Sequence, residues 1–172
     1  MTDVTGWTDG QLFSSRRQDW ATPRALFKRL DEEFEFTLDA AATRKNAQVA
    51  IFISPEEDAL SSDWSKAHVG GAVWLNPPYG RDVGVWLKKA YEESKKGQTV
   101  VCLVFARTDT RWFHDFAMRA HEVRLIRGRL RFEGAENSAP APSCLLIFRG
   151  CCPAPNSPRF LACEVPRRRV SD

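Results

Sequence analysis

Asn76-Pro77-Pro78-Tyr79 is the stretch of this 172-residue chain whose residue types most directly permit chemistry. Two consecutive prolines fix their own φ and carry no backbone N–H, so the turn is stiff and its carbonyls are free to accept. The Asn76 side-chain oxygen is a second acceptor beside them. Tyr79 adds a flat ring with a polar tip. Together these groups suit the exocyclic amine of an aromatic base, gripped at both N–H groups with its ring stacked. Such an amine is a poor nucleophile, because its lone pair is delocalised into the ring. Two acceptors favour a pyramidal nitrogen with a localised pair, able to attack a methyl group on a sulfonium. That chemistry needs placement and preorganised dipoles, and it calls for no covalent enzyme intermediate and no metal. The bland alternative is a rigid loop; a place between an apolar strand and a capped helix favours the chemical reading.

The elements that must hold this turn follow from periodicity. Ala72–Leu75 reads as a strand running into Asn76. Asp82 is placed to cap a helix with the stripe Val83, Trp86, Leu87 and Ala90, ended by Lys95, Lys96 and Gly97. Val100–Phe105 is a continuous apolar run, the sign of a strand covered on both faces. Thr110–Ala120 reads as a helix. Glu122–Ile126, Arg129–Phe132 and Cys144–Phe148 read as strands, with 133–142 as a hairpin loop between the last two. Upstream, Thr22 reads as an N-cap and Pro23 as the first helical residue, followed by Leu26, Phe27 and Leu30. Phe34–Asp39 reads as a strand closed by Ala40, Ala41 and Ala42. Residues 43–66 are hard to read, with Ile51–Ile53 a possible short strand. The alternation predicts an α/β protein: a mostly parallel sheet, helices on both faces, and a late antiparallel hairpin. In open α/β sheets ligands bind at the carboxyl ends of strands, which is where Asn76 falls.

Length fits one domain, able to bury roughly 70% of its unfolded surface. Residues 1–19 read as a polar arm, 20–150 as the domain, and 151–172 as a Pro/Arg-rich flexible tail whose removal is expected to leave the fold intact. No apolar run approaches the ~20 residues of a membrane span, and the start shows no secretory pattern. Five cysteines without a C-x-x-C pair argue against a disulfide framework or zinc ribbon, and point to a reducing cytoplasm. His68, His114 and His121 show no ligand or triad spacing. Net charge is +3, from 25 basic and 22 acidic residues, so nucleic-acid contact must come from local clusters.

Five stretches in order then carry a resemblance: Asp19-Trp20-Ala21-Thr22-Pro23, Phe36-Thr37-Leu38-Asp39-Ala40-Ala41-Ala42, Asp58-Ala59-Leu60 with Asp63-Trp64, Asn76-Pro77-Pro78-Tyr79, and Thr108-Asp109-Thr110 with Trp112-Phe113 and Gly128-Arg129-Leu130. From Trp20 to Phe148 the chain resembles the small phage-type DNA N6-adenine methyltransferases, the Dam-like family. The resemblance implies a Rossmann-like class I methyltransferase fold, S-adenosylmethionine as methyl donor, DNA, taken as double-stranded, as partner, and a bacterial or phage-infected cell, with restriction evasion and regulation both compatible. By position it implies that Asp39, Ala40 and Ala41 form the first cofactor motif, with alanines where the family's usual form has glycines and Asp39 accepting from the cofactor's amino group. It implies that Trp20, Thr22 and Pro23 help hold the methionine part. Asp63 would accept from the cofactor's adenine amine with Trp64 packing nearby, and Asp58 would meet the ribose. The plainer readings are a turn-capping carboxylate for Asp39, a helix start for Thr22-Pro23, and a helix cap with a core tryptophan for Asp63-Trp64.

A target base inside a duplex must be flipped out, at a cost of a few kcal/mol. Tyr79 is the candidate stacking ring. Arg81, Arg127, Arg129 and Arg131, with Arg124, are candidate phosphate contacts; singly, each also reads as a solvated charge. No insertion could house a large recognition domain, so recognition falls to the arm, the 133–142 loop or the tail. Three rivals stand beside adenine methylation. Cytosine N4 methylation more often has serine before the prolines. Methylation of a protein glutamine amide usually brings a further domain. A decayed DNA-binding module is opposed by the intact tetrapeptide.

Overall fold

The computed structural model describes residues 21–67, 70–153 and 155–165. In chain order the elements are α1 (Arg24–Phe34), β1 (Phe36–Asp39), α2 (Trp64–Ala67), β2 (Ala72–Leu75), α3 (Val83–Lys95), β3 (Thr99–Phe105), α4 (Arg111–Asp115), β4 (Glu122–Ile126), β5 (Ser143–Phe148) and β6 (Arg159–Cys163). Six strands form one sheet in the order β1-β2-β3-β5-β4-β6. β1, β2 and β3 are parallel neighbours, and β4 and β6 are parallel. β5 lies antiparallel between β3 and β4. Two reversals bring β4 back to the direction of β3, so β1 to β4 and β6 all end at one edge of the sheet, where β5 begins.

Strand periodicity divides the core. Val100, Cys102 and Val104 of β3 meet Leu87 and Ala90 of α3 and Phe113 of α4 on one face. Val101, Leu103 and Phe105 meet Leu26, Phe27 and Leu30 of α1 on the other. Helices thus cover both faces, which explains the unbroken apolar run of β3. Gly97 ends the α3 turn at φ +102, and Gly150 lies so close that a Cβ there would stand 2.1 Å from the Gly97 carbonyl carbon. Among the described residues no helix is long and apolar enough to cross a membrane.

Several expectations are corrected. Pro23, not Thr22, is the α1 N-cap; its carbonyl accepts from Leu26 and Phe27 N–H, both at 3.0 Å, while Thr22 is drawn into the interior. Asp82 holds the N-cap position of α3 without a side-chain bond. The expected Thr110–Ala120 helix is split into α4 and a 3₁₀ turn, Ala117–Arg119. Ile51–Ile53 yields a single bridge, from Phe52 to Asp39. Arg129–Phe132 alternates in burial but is no strand, because both edges of β5 are already taken by β3 and β4. The hairpin partner of β5 is β4, and 127–142 is the connection. The expected tail also contains structure: β6 pairs with β4 along its whole length, from Glu122↔Arg159 to Ile126↔Cys163. The arm 1–19, Trp20, His68 and Arg167–Arg169 lie outside the described residues.

Deletion of residues 153–172 therefore removes a paired strand and uncovers Ile126. The melting temperature is expected to fall by roughly 5–10 °C, the effect of losing a few kcal/mol in a chain of this size. Calorimetry of the truncated protein checks this; an unchanged transition would mean that β6 contributes nothing.

Candidate active site

Asp39 ends β1 and is locked from both sides. Its N–H donates to Ile51 O at 3.0 Å, its carbonyl accepts from Ile53 N–H at 2.9 Å, and the next residue, Ala40, donates to Trp74 O at 2.9 Å. That last bond joins the end of β1 to β2 two residues before Asn76. The Asp39 carboxylate is 2% exposed and accepts from the backbone N–H of Gln48 at 3.0 Å and of Ala41 at 3.4 Å. Among the described residues no cation pairs with it. Burial pushes its pKa up to about 6, only partly opposed by the two N–H donors. Ala40 is fully buried and Ala41 half-buried, so small side chains line the chain beside the carboxylate.

Across the Ala40–Trp74 bond stands the rigid turn. Asn76 is half-buried, Pro77 buried and Pro78 exposed. Tyr79 folds back onto the α1 face: its ring centroid lies 4.2 Å from that of Phe105 and 5.7 Å from that of Phe132, and its hydroxyl donates to Leu103 O at 3.2 Å. Burial raises the phenol pKa well above its ordinary value, so it remains a donor. The expected open stacking ring is, in this conformation, a packed one.

The segment before α1 crosses to the same edge. Glu133 N–H donates to Ala21 O at 2.9 Å, and the Glu133 carboxylate accepts from Arg24 N–H at 3.0 Å. A carboxylate at a helix N-terminus meets unpaired N–H groups and the positive end of the helix dipole. Glu133 thus supplies from 109 residues away the cap that Pro23 does not. Around this clip lies a cavity of about 1180 Å³, lined by Pro23–Ala25, residues 127–135, Glu164 and Val165. Leu130 and Phe132 are buried and turn Arg129 and Arg131 outward. Arg127 pairs with Glu164 at 3.3 Å, and Arg131 Nε donates to Ala135 O at 3.3 Å. Phe132 connects the cavity wall to the Tyr79 ring.

A family described as DNA N-6-adenine-methyltransferase (Dam) matches residues 9–157. This chain belongs to that family. Its sheet, with one reversed strand between parallel neighbours, is a Rossmann-like methyltransferase fold. The chain is similar to the DNA N-6-adenine-methyltransferase of Haemophilus phage HP1, 30% identical over 154 residues, covering 85% of this chain and 87% of that protein. It is 34% identical over 133 residues to the DNA N-6-adenine-methyltransferase of Escherichia phage T1, covering 77% of this chain and 54% of that protein. The putative methyltransferase YfdM of Escherichia coli K12 is 38% identical over 63 residues, 35% of this chain and 69% of that protein.

Within this Dam-family chain the geometry sorts the expected residues. Asp39–Ala41 and Asn76–Pro78 come together across the Ala40–Trp74 bond, as do Pro23 with Arg127, Arg129 and Arg131 around the cavity, while Thr22, beside Pro23 in sequence, is buried. Arg81 is exposed directly after the turn. Asp63 is not brought there: its carboxylate accepts from Ser65 and pairs with Lys96, just past the far end of α3. Trp64 is fully buried and donates from Nε1 to Ala59 O at 2.8 Å, a core residue. Asp58 folds over its own turn, accepting from Leu60 N–H and Ser61 hydroxyl. Arg124 is paired within the fold, donating to Glu33 and Glu122. Gln48 and Glu133 escape sequence reading altogether: Gln48 acts through its backbone N–H, and Glu133 across a loop.

The buried Asp39 has a stability signature. A pKa raised from 3.8 to about 6 means that the folded state holds the proton more tightly than the unfolded one. Its contribution is fully present below pH 3.8 and lost as pH rises through about 6; the ionised group then costs about 3 kcal/mol. The advantage of Asp39→Asn over wild type in melting temperature should therefore grow from pH 4 to pH 7. A difference flat in pH, followed by calorimetry, would remove the buried ionisable carboxylate from the account.

Proposed function

We propose that this chain transfers the methyl group of S-adenosylmethionine to N6 of an adenine flipped out of double-stranded DNA. The observation that carries the reading is the Ala40–Trp74 hydrogen bond at 2.9 Å, which sets a buried carboxylate without a cation beside a rigid acceptor turn. The fit to the donor rests on that carboxylate: a cationic amino group is the partner Asp39 lacks among the described residues, and Ala40 and Ala41 leave room at the backbone. Thr22 and Pro23 would hold the same molecule from the α1 side. When bound, S-adenosylmethionine supplies a methyl group activated by a sulfonium.

The chain's own residues do the rest. Asn76 Oδ1 and the Pro77 carbonyl accept from the two N6–H groups and localise the nitrogen lone pair. The paired prolines keep those acceptors from relaxing toward solvent, so their dipoles are oriented before the base arrives. Tyr79, with Phe105 and Phe132, gives the pocket an aromatic wall; for Tyr79 to stack on the base, its hydroxyl must leave Leu103 O. Arg81, Arg129 and Arg131 bind phosphates and offset the cost of flipping.

Asn76→Ala should lose on the order of 100-fold or more in methyl transfer while keeping its affinity for S-adenosylmethionine, and Asp39→Ala should weaken that affinity first. Calorimetry and methylation-sensitive sequencing, from a host without its own adenine methylation, read both effects. Near-normal turnover by Asn76→Ala sinks the assignment, and methylated cytosine in place of adenine redirects it.

Replacing Arg129 and Arg131 together by alanine should lower the salt slope of DNA binding by roughly two, about 0.9 for each phosphate that is no longer neutralised. An unchanged slope, measured by titration at several salt concentrations, would return both arginines to the solvent.

A further inference from the structure

Ser143 opens β5 at the edge of the sheet that carries Asn76, and it is paired in register with Phe105. It is 1% exposed, and among the described residues its hydroxyl has no hydrogen-bond partner. The next residues on its face of the strand are Leu145 and Ile147, both apolar and fully buried. A hydroxyl in such a row is costly when unsatisfied, so it calls for an explanation. Its surroundings supply one. Cross-strand neighbours in an antiparallel pair lie about 4.5–5.5 Å apart at Cα. Ser143 is thus one strand pairing from Phe105, whose ring meets that of Tyr79 in a tilted contact with centroids 4.2 Å apart. Trp74 Nε1 is likewise buried and, among the described residues, without a partner, but its ring is enclosed by edge contacts with Phe27 and Phe36 under α1.

We propose that Ser143 is a base-contacting specificity residue, whose hydroxyl donates to a ring nitrogen of the flipped base while the exocyclic amine is held at Asn76. This rests on reading the Asn76 turn as the amine site. The aromatic wall of Tyr79, Phe105 and Phe132 fixes the plane of the base, and Ser143 adds a donor from the start of β5. A base presenting an acceptor nitrogen there satisfies the buried hydroxyl; an analogue with a C–H there leaves it orphaned.

The test is Ser143→Ala in the full-length protein, measured beside Asn76→Ala. Three quantities are read: melting temperature, calorimetric affinity for S-adenosylmethionine, and kcat/KM on genomic DNA lacking adenine methylation. The expected result is an unchanged or higher melting temperature, cofactor affinity within about twofold, and kcat/KM lower by about tenfold, the scale of one hydrogen bond to a buried group. On a duplex whose target is a deaza-adenine lacking the contacted nitrogen, wild type should lose the same factor and Ser143→Ala should lose no more. A lower melting temperature in step with activity would make Ser143 structural and overturn the proposal. Unchanged kcat/KM with an inactive Asn76→Ala would overturn it alone; an active Asn76→Ala would overturn the site reading beneath it.

Discussion

β5 runs against both of its neighbours, and most of the active end depends on that reversal. Because β5 is antiparallel to β3 and to β4, β4 regains the direction of β3 and delivers residues 127–135 to the edge where β1 and β2 end. The return from β4 to β5 must then pass over that edge. Glu133 and Phe132 lie on this return, the first capping α1 and the second closing the aromatic wall around Tyr79. A β5 placed at the sheet margin would leave Arg129–Phe132 free to pair as a strand and would carry the arginines away from the turn. The two edges of β5 are both satisfied, and the connection is left to do other work.

Two buried acids show how environment assigns roles to one side-chain type. Burial alone would raise the pKa of Glu122, but Arg149 at 2.6 Å and Arg124 at 2.7 Å more than reverse it, and its carboxyl stays below the ordinary range. Glu122 so ties β4 to β5, and through Arg124 to Glu33 of α1. Among the described residues Asp39 has only backbone donors, and burial wins. The first acid is neutralised within the fold. The second has no neutralising side chain among the described residues, so its ionisation costs stability.

The aromatic residues divide in the same way. Phe27, Phe36 and Trp74 fill the space under α1 with edge-to-face contacts. Tyr79, Phe105 and Phe132 form a second group at the carboxyl edge, with a phenol bonded to the sheet backbone. The second group packs Tyr79, the residue after Pro77-Pro78, against the core.

Local pattern sufficed where local physics decides. The stiffness of Pro77-Pro78 is covalent, the apolar run of β3 needs two covered faces, and the alternation around Leu130 and Phe132 follows side-chain geometry; each was readable in the sequence, and with them the α/β class. The order of motifs from Asp19 to Leu130 pointed to the family without any knowledge of the fold. Pairing was not readable. Whether Arg129–Phe132 becomes a strand depends on which edges of β5 remain open, and whether 159–163 is tail or strand depends on β4 having a free edge. Asp63 and Arg124 carry the same charges in sequence as Asp39 and Arg129, yet one is spent on Ser65 and Lys96 and the other on Glu33 and Glu122. The sequence by itself determined which groups are able to grip an amine or hold a cation. Tertiary structure decided which of them remain available, because partners distant in the chain compete for the same hydrogen bonds and burial sets the cost of going without.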